Sequence, residues 1–285
     1  MNYRPNWKME KEKGKVQKKI TLPYSQRHPF HMVRPSYWPF LVSICMFFLP
    51  YFTVHYFHTS SNYLLYVLCS FTALCFCIRG WFRDIVIEST FEGAHTKAVQ
   101  KNIRYGFILF IVSESMFFFS FFWAFFYASI NPSPSIGCIW PPLGTPKINP
   151  WLIPLANTAV LLISGATVTF AHKSIKKNAR SAFQESLELT VVMAFFFTMV
   201  QAYEYISMDL TILDGLYASL FFMLTGFHGL HVIIGTIYLY VCVERAKLDH
   251  FSPKNHLGFE LAAWYWHFVD IIWILLYFCL YHWGS

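Results

Sequence analysis

Apolar residues run along the chain in long stretches, broken by short polar intervals that carry nearly all of the charge. A helix that crosses a bilayer needs roughly 20 mostly apolar residues. Residues 35–78 contain no Asp, Glu, Lys or Arg, a run too long for one span, and the polar break at 55–61 (HYFHTSS) divides it. The pattern therefore predicts a first helix over about 37–56 and a second over about 62–81. A third is expected over 105–129, with one interior charge, Glu114. Pro132, Pro134, Pro141, Pro142, Pro146 and Pro150 then predict an irregular loop. Further spans are expected over 151–171, 186–206, within 215–243, and over 258–283. The fold class is an all-α membrane protein with seven transmembrane helices.

The positions of Lys and Arg support this count. Nine precede the first span, and five (Arg79, Arg83, Lys97, Lys101, Arg104) separate the second from the third. Four (Lys173, Lys176, Lys177, Arg180) follow the fourth span, and three (Arg245, Lys247, Lys254) follow the sixth. With seven crossings these all share one side, and Lys147 alone falls on the other. The positive-inside rule then places the N-terminus in the cytoplasm or matrix. The organisation expected is a polar, Lys-rich extension over 1–34, helices 1 and 2 over 35–81, a basic inner-side linker over 82–104, and helices 3 to 7 over 105–285.

Composition excludes a soluble globule and a disordered chain. Apolar residues make up 56%, aromatics 20% and charged residues only 13%, against about 25% charged in an average soluble domain. The net charge of +7 follows the membrane topology rather than forming a patch, so no nucleic-acid partner is expected. The Cys residues are scattered with no CxxC, giving neither a disulfide framework nor a zinc site. No phosphate-binding glycine loop, HExxH or GxSxG motif is present.

Polar groups inside the spans are the candidates for chemistry, because a charge near mid-bilayer costs about 2.5–3.5 kcal/mol on insertion scales. Glu114 lies nine residues into the third span, roughly 13 Å from its basic-side end. Its sequence neighbours are mainly Phe, with few groups able to form an ion pair, and desolvation favours the protonated acid. It reads either as a proton-linked or lipid-facing carboxyl, or as a neutral acid bonded to a neighbouring helix. In the seventh span His267 and Asp270 share a face, as a proton relay or as a lock between helices; Glu260 lies near the basic-side entrance. His228 and His231, at i and i+3 in GFHGLH, could ligate a metal, although the adjacent glycines favour close helix packing.

Several segments, taken together, resemble subunit III of the cytochrome c oxidase family: HPFHMVRPSYWPF (28–40), WFRDIVIEST with FEGAHTKAVQKNIRYG (81–106), and FIVSESMFFFSFFWAFFY (110–127). The similarity continues through residues 140–172, GFHGLHVIIG and AAWYWHFVD, and covers the chain from about residue 28 onward. The resemblance implies a two-helix and a five-helix group around a lipid-filled, V-shaped cleft, with the N-terminus inside. It implies a core subunit with no catalytic residue, metal or redox centre of its own. Haem a and copper would lie in partner subunits, with subunit I of complex IV as the main contact. It further implies bound phospholipid of the phosphatidylglycerol or cardiolipin type, support of proton uptake, and a place in the mitochondrial inner membrane or a bacterial plasma membrane; a respiratory supercomplex is a further possible association. By position, Glu114 corresponds to the family's cleft glutamate, His95 to a loop histidine facing a lipid headgroup, and Trp81 and Arg83 to the lipid-contacting end of helix 2. His228, His231, Glu260, His267 and Asp270 fall in helix-packing motifs. The chain departs from the family at Phe82, often Trp, and at Ile87, often basic. The rival readings are an autonomous proton-linked transporter using Glu114 and Asp270, and a haem protein with His228 or His231 as axial ligand.

Overall fold

The structure, a computed structural model, describes residues 28–146 and 148–284. The extension expected over 1–34 lies outside these residues as far as position 27. Among the described residues there are seven helices long and apolar enough to cross a membrane, and no strand. They are α1 (Trp38–His58), α2 (Leu64–Thr90), α3 (Lys97–Ile130), α4 (Ile153–Lys176), α5 (Arg180–Ser207), α6 (Leu216–Lys247) and α7 (Leu257–Leu276). A π-helical segment, Tyr277–Trp283, continues α7.

The predicted helices all occur, but α2 and α3 run further than an apolar-length criterion suggests. Most of the expected 82–104 linker is helical, and only residues 91–96 separate the two helices. The reason is that the bilayer sets the length of the apolar stretch, not of the helix. At about 1.5 Å per residue, the 34 residues of α3 extend about 51 Å, well beyond a hydrocarbon core of about 30 Å. The true break has its own local chemistry. Gly93 takes the left-handed conformation, φ 66°, which a residue without Cβ adopts readily. Thr96 then caps α3, its Oγ1 accepting a hydrogen bond from the Val99 amide at 3.4 Å.

The chain forms two compact units, one up to Asn102 and the other from Ile103. In the first, α1 packs on α2 with little interior: α1 has no buried residue, and α2 buries only Leu74 and Cys77. One contact fixes the pair near the start of α1. The Trp38 ring lies where a Cβ on Gly80 would be, and its indole Nε1 donates to Asp84 Oδ2 at 2.6 Å.

The second unit has a real core. Of the apolar window of α7, 61% is buried, against none for α1, so α7 is the central helix. It contacts α4 and α6, and its interior face is built from Phe259, Trp266, Val269, Trp273 and Leu276. Phe118 and Phe125 bring α3 into the same cluster. Apolar surface inside a membrane gains little from burial against other helices, so close packing and interhelical hydrogen bonds carry the association.

Candidate functional site

The α4–α7 contact is a hydrogen-bonded seam of antiparallel helices. Small hydroxyls on α4 meet ring nitrogens on α7. Trp273 Nε1 donates to Thr158 Oγ1 and Trp266 Nε1 donates to Ser164 Oγ, both at 2.9 Å. His267 Nε2 lies 3.3 Å from Thr169 Oγ1. At Gly165 the missing side chain admits Asp270, whose Oδ2 occupies the space that a Cβ would need. Asp270 also lies 3.6 Å from His267 Nδ1. The predicted His267–Asp270 face is thus a point of helix contact, with Asp270 buried and His267 partly open.

Glu114 is better partnered than its sequence neighbours suggest. Its Oε2 lies 3.0 Å from Nε2 of His231 on α6, with the Glu114 side chain 26% and that of His231 10% exposed. The other ring nitrogen, Nδ1, is 2.7 Å from the Phe227 carbonyl. A carbonyl only accepts, so Nδ1 carries a hydrogen. Nε2 is then an acceptor facing a protonated Glu114, or a donor facing its carboxylate. The two states differ by one proton moved along one hydrogen bond and have the same net charge. Phe118 packs edge-on to the His231 ring at 5.0 Å, and Tyr265 stacks on it at 6.3 Å. The pair therefore sits at an aromatic junction of α3, α6 and α7.

His228 and His231 share a sequence face but engage different helices. His228 Nε2 is 3.3 Å from the Val269 carbonyl on α7, with the Trp273 ring 5.0 Å away. They do not converge on one ligand position. Glu260, at the start of α7, is held by Arg104, whose Nε and Nη2 both donate to Oε2, at 3.2 and 2.7 Å. Charge-assisted contacts of this kind secure the helix end where the apolar stretch stops.

Beside the Glu114–His231 pair, α3 and α7 leave an apolar groove of about 510 Å³. Phe119, Phe122, Trp264, Ile271 and Leu275 line it, with Ser115 and His267 as polar points. Its lining is apolar apart from these two points.

In the first unit, His95 lies half-buried in the turn before α3, its ring 5.7 Å from that of His31. Glu88, on the last turn of α2, has Oε2 3.9 Å from His31 Nε2. Trp81 and Arg83 lie on an exposed stretch of α2. The Arg83 side chain is 72% exposed and reaches only Asp84, at 3.5 Å.

Two groups escaped sequence reasoning. Glu204, near the end of α5, is 3% exposed, with Tyr281 as its neighbour. It lies three residues from the end of α5 and turns inward, while Tyr203 and Ile206 on the same turn are exposed, and a hydropathy pattern does not distinguish these faces. The His31–Glu88–His95 cluster joins three segments, none with a ligand motif of its own.

Comparison with known proteins agrees with this architecture. Residues 28–285 match the family model for cytochrome c oxidase subunit III. The chain is 51% identical to cytochrome c oxidase subunit 3 of Chondrus crispus over 260 residues, covering 91% of this chain and 96% of the relative. It is 49% identical to that of Prototheca wickerhamii, covering 91% and 99%, and 49% identical to that of Patiria pectinifera, covering 92% and 100%. With seven apolar helices and agreement along nearly the whole length of these relatives, the chain belongs to the cytochrome c oxidase subunit III family.

Proposed function

We propose that the chain is a non-catalytic core subunit of complex IV. It packs against subunit I, which carries haem a and copper, and binds phospholipid of the phosphatidylglycerol or cardiolipin type. In doing so it supports proton uptake and sustained oxygen reduction. The observation that carries this reading is the near-50% identity maintained over the full length of curated subunits. The groove between α3 and α7 supports the lipid role, because it offers an apolar lining with the Glu114–His231 pair nearby. His95, Trp81 and Arg83 are the residues proposed for headgroup contact. The one-sided distribution of Lys and Arg supports an N-terminus on the inner side, which is the matrix in a mitochondrial inner membrane and the cytoplasm in a bacterial plasma membrane.

The transporter reading, with Glu114 and Asp270 as relay groups, fits less well. Asp270 is closed in by Gly165 and His267, which suits a lock better than a proton path.

The test is gentle extraction and purification through a tag on this chain, followed by a visible spectrum and an inventory of co-purifying chains. Haem a bands together with a larger subunit I, and no haem on this chain once it is stripped away, are the expected result. A lone, colourless chain that carries ions in vesicles would overturn the proposal.

A further inference from the structure

Outside the polar groups of the helical core, one cluster has the composition and geometry of a ligand set. His31 belongs to the segment before α1, Glu88 to the last turn of α2, and His95 to the turn before α3. One ligand atom from each lies within 4.8 Å of the other two. We propose that His31, Glu88 and His95 bind a divalent transition-metal ion of the zinc class.

The spacing carries the argument. His31 Nε2 and Glu88 Oε2 are 3.9 Å apart, too far for a hydrogen bond. An ion held at about 2.0–2.1 Å by tetrahedral ligands requires donor atoms about 3.3–3.4 Å apart. Contracting the widest separation to that value moves each side chain by about 0.7 Å, within reach of small rotations about χ angles. Two imidazoles and a carboxylate suit zinc and its neighbours better than magnesium or calcium, which prefer all-oxygen sets.

The backbones that carry the ligands are already tied together. The Ala94 amide donates to the Glu88 carbonyl at 3.0 Å, which fixes the turn holding His95 onto the end of α2. Thr96 Oγ1 donates to the Pro29 carbonyl at 2.5 Å, which fixes the His31 segment to the same turn. Gln100 Nε2 donates to the His95 carbonyl at 2.9 Å. Nearby, Arg34 pairs with Glu92 at 3.3 Å rather than with Glu88. The ligand side chains are partly sheltered, with His31 13% and Glu88 21% exposed. Three protein ligands leave a coordination position for water or for a lipid phosphate, so the site is compatible with headgroup binding at His95.

The experiment uses the intact oxidase purified with this chain in place. His31 and His95 are modified with diethyl pyrocarbonate, with and without zinc chloride, and the rates are read by peptide mass spectrometry. At zinc about ten times the dissociation constant, both rates should fall about tenfold. The exposed His28 should be unaffected, and magnesium chloride should protect neither ligand. Unchanged rates at His31 and His95 in saturating zinc would overturn the site. In Glu88→Gln the protection of both histidines should be lost; full protection there would overturn the three-ligand arrangement. If that variant does not assemble, the unmodified complex decides the matter.

Discussion

Glu114 of α3 and His231 of α6 are 117 positions apart in the chain and share a hydrogen bond of 3.0 Å. Because Phe227 fixes the hydrogen on Nδ1, the pair can be neutral or zwitterionic without changing its net charge. Substitutions at Glu114 separate the two states. If the neutral form prevails, Glu114→Gln keeps a donor opposite Nε2 and costs less than about 1 kcal/mol, whereas Glu114→Leu strands Nε2 and costs about 1–3 kcal/mol. Thermal release of this chain from the purified complex measures both. A loss for Gln well above about 1 kcal/mol would show that the charged form prevails.

Gly165 exists for Asp270. Adding a single methyl there, as Gly165→Ala, drives Cβ into Asp270 Oδ2, and overpacking of this kind costs about 1–3 kcal/mol. Asp270→Ala removes the obstruction. The double variant should therefore lose less than the two single losses combined, by about 0.5 kcal/mol or more, in thermal denaturation monitored by intrinsic fluorescence. Strict additivity would mean that the two residues do not meet.

At the other unit, Trp38 does two separable things. Trp38→Phe keeps an aromatic ring over Gly80 but removes the donor to Asp84, for an expected loss of about 0.5–1.5 kcal/mol. Gly80→Leu displaces the ring itself and should cost more. Limited proteolysis of the α1–α2 connection ranks the two. The reverse order would place the energy in the hydrogen bond rather than in the ring contact.

His250, in the loop between α6 and α7, is held below the ordinary histidine value of 6.5, first by burial and then by the nearby Arg245 guanidinium. A histidine with a lowered folded-state pKa takes up fewer protons than its unfolded counterpart. Its contribution to stability is thus intact above about pH 6.5 and is lost as the pH falls below that value through the lower folded-state pKa. Melting temperatures of the complex between pH 7.5 and pH 5.5 should fall, and His250→Gln should flatten part of that fall. An identical pH profile in the variant would remove His250 as a cause.

The seven spans were readable because lipid exposure demands long apolar runs, and the Lys and Arg that interrupt those runs fall on one side, Lys147 apart. The ends of α2 and α3 were not, because a hydropathy count stops where charge begins, whereas helical hydrogen bonding continues through Arg83, Asp84 and Glu88. The Thr96 cap was present in the sequence as a lone threonine, with no acidic partner three residues later to make it stand out. Glu114 was conspicuous as an acid among phenylalanines, but its partner could come only from the fold. The same holds for Asp270 and Gly165, and for His31, Glu88 and His95, which are ordinary in their own segments. Chemistry made by residues adjacent in sequence was legible; chemistry made by convergence was not.

Helix α1 buries none of its residues fully, but Trp38, Val42, Cys45, Leu49, Phe52 and Tyr56 are half-buried at intervals of three to four, which marks one face along its whole length. The Trp38 contact with Gly80 and Asp84 holds that face at the first turn, and the ring contacts of Phe52 with Tyr66 and of His55 with Tyr63 hold it near the other end. The azimuth of the whole 21-residue helix is therefore set at both ends, like a shaft held in two bearings. A change at position 38 or 80 would twist the first turns of α1 against a far end that stays in place, rather than turn the helix as one piece.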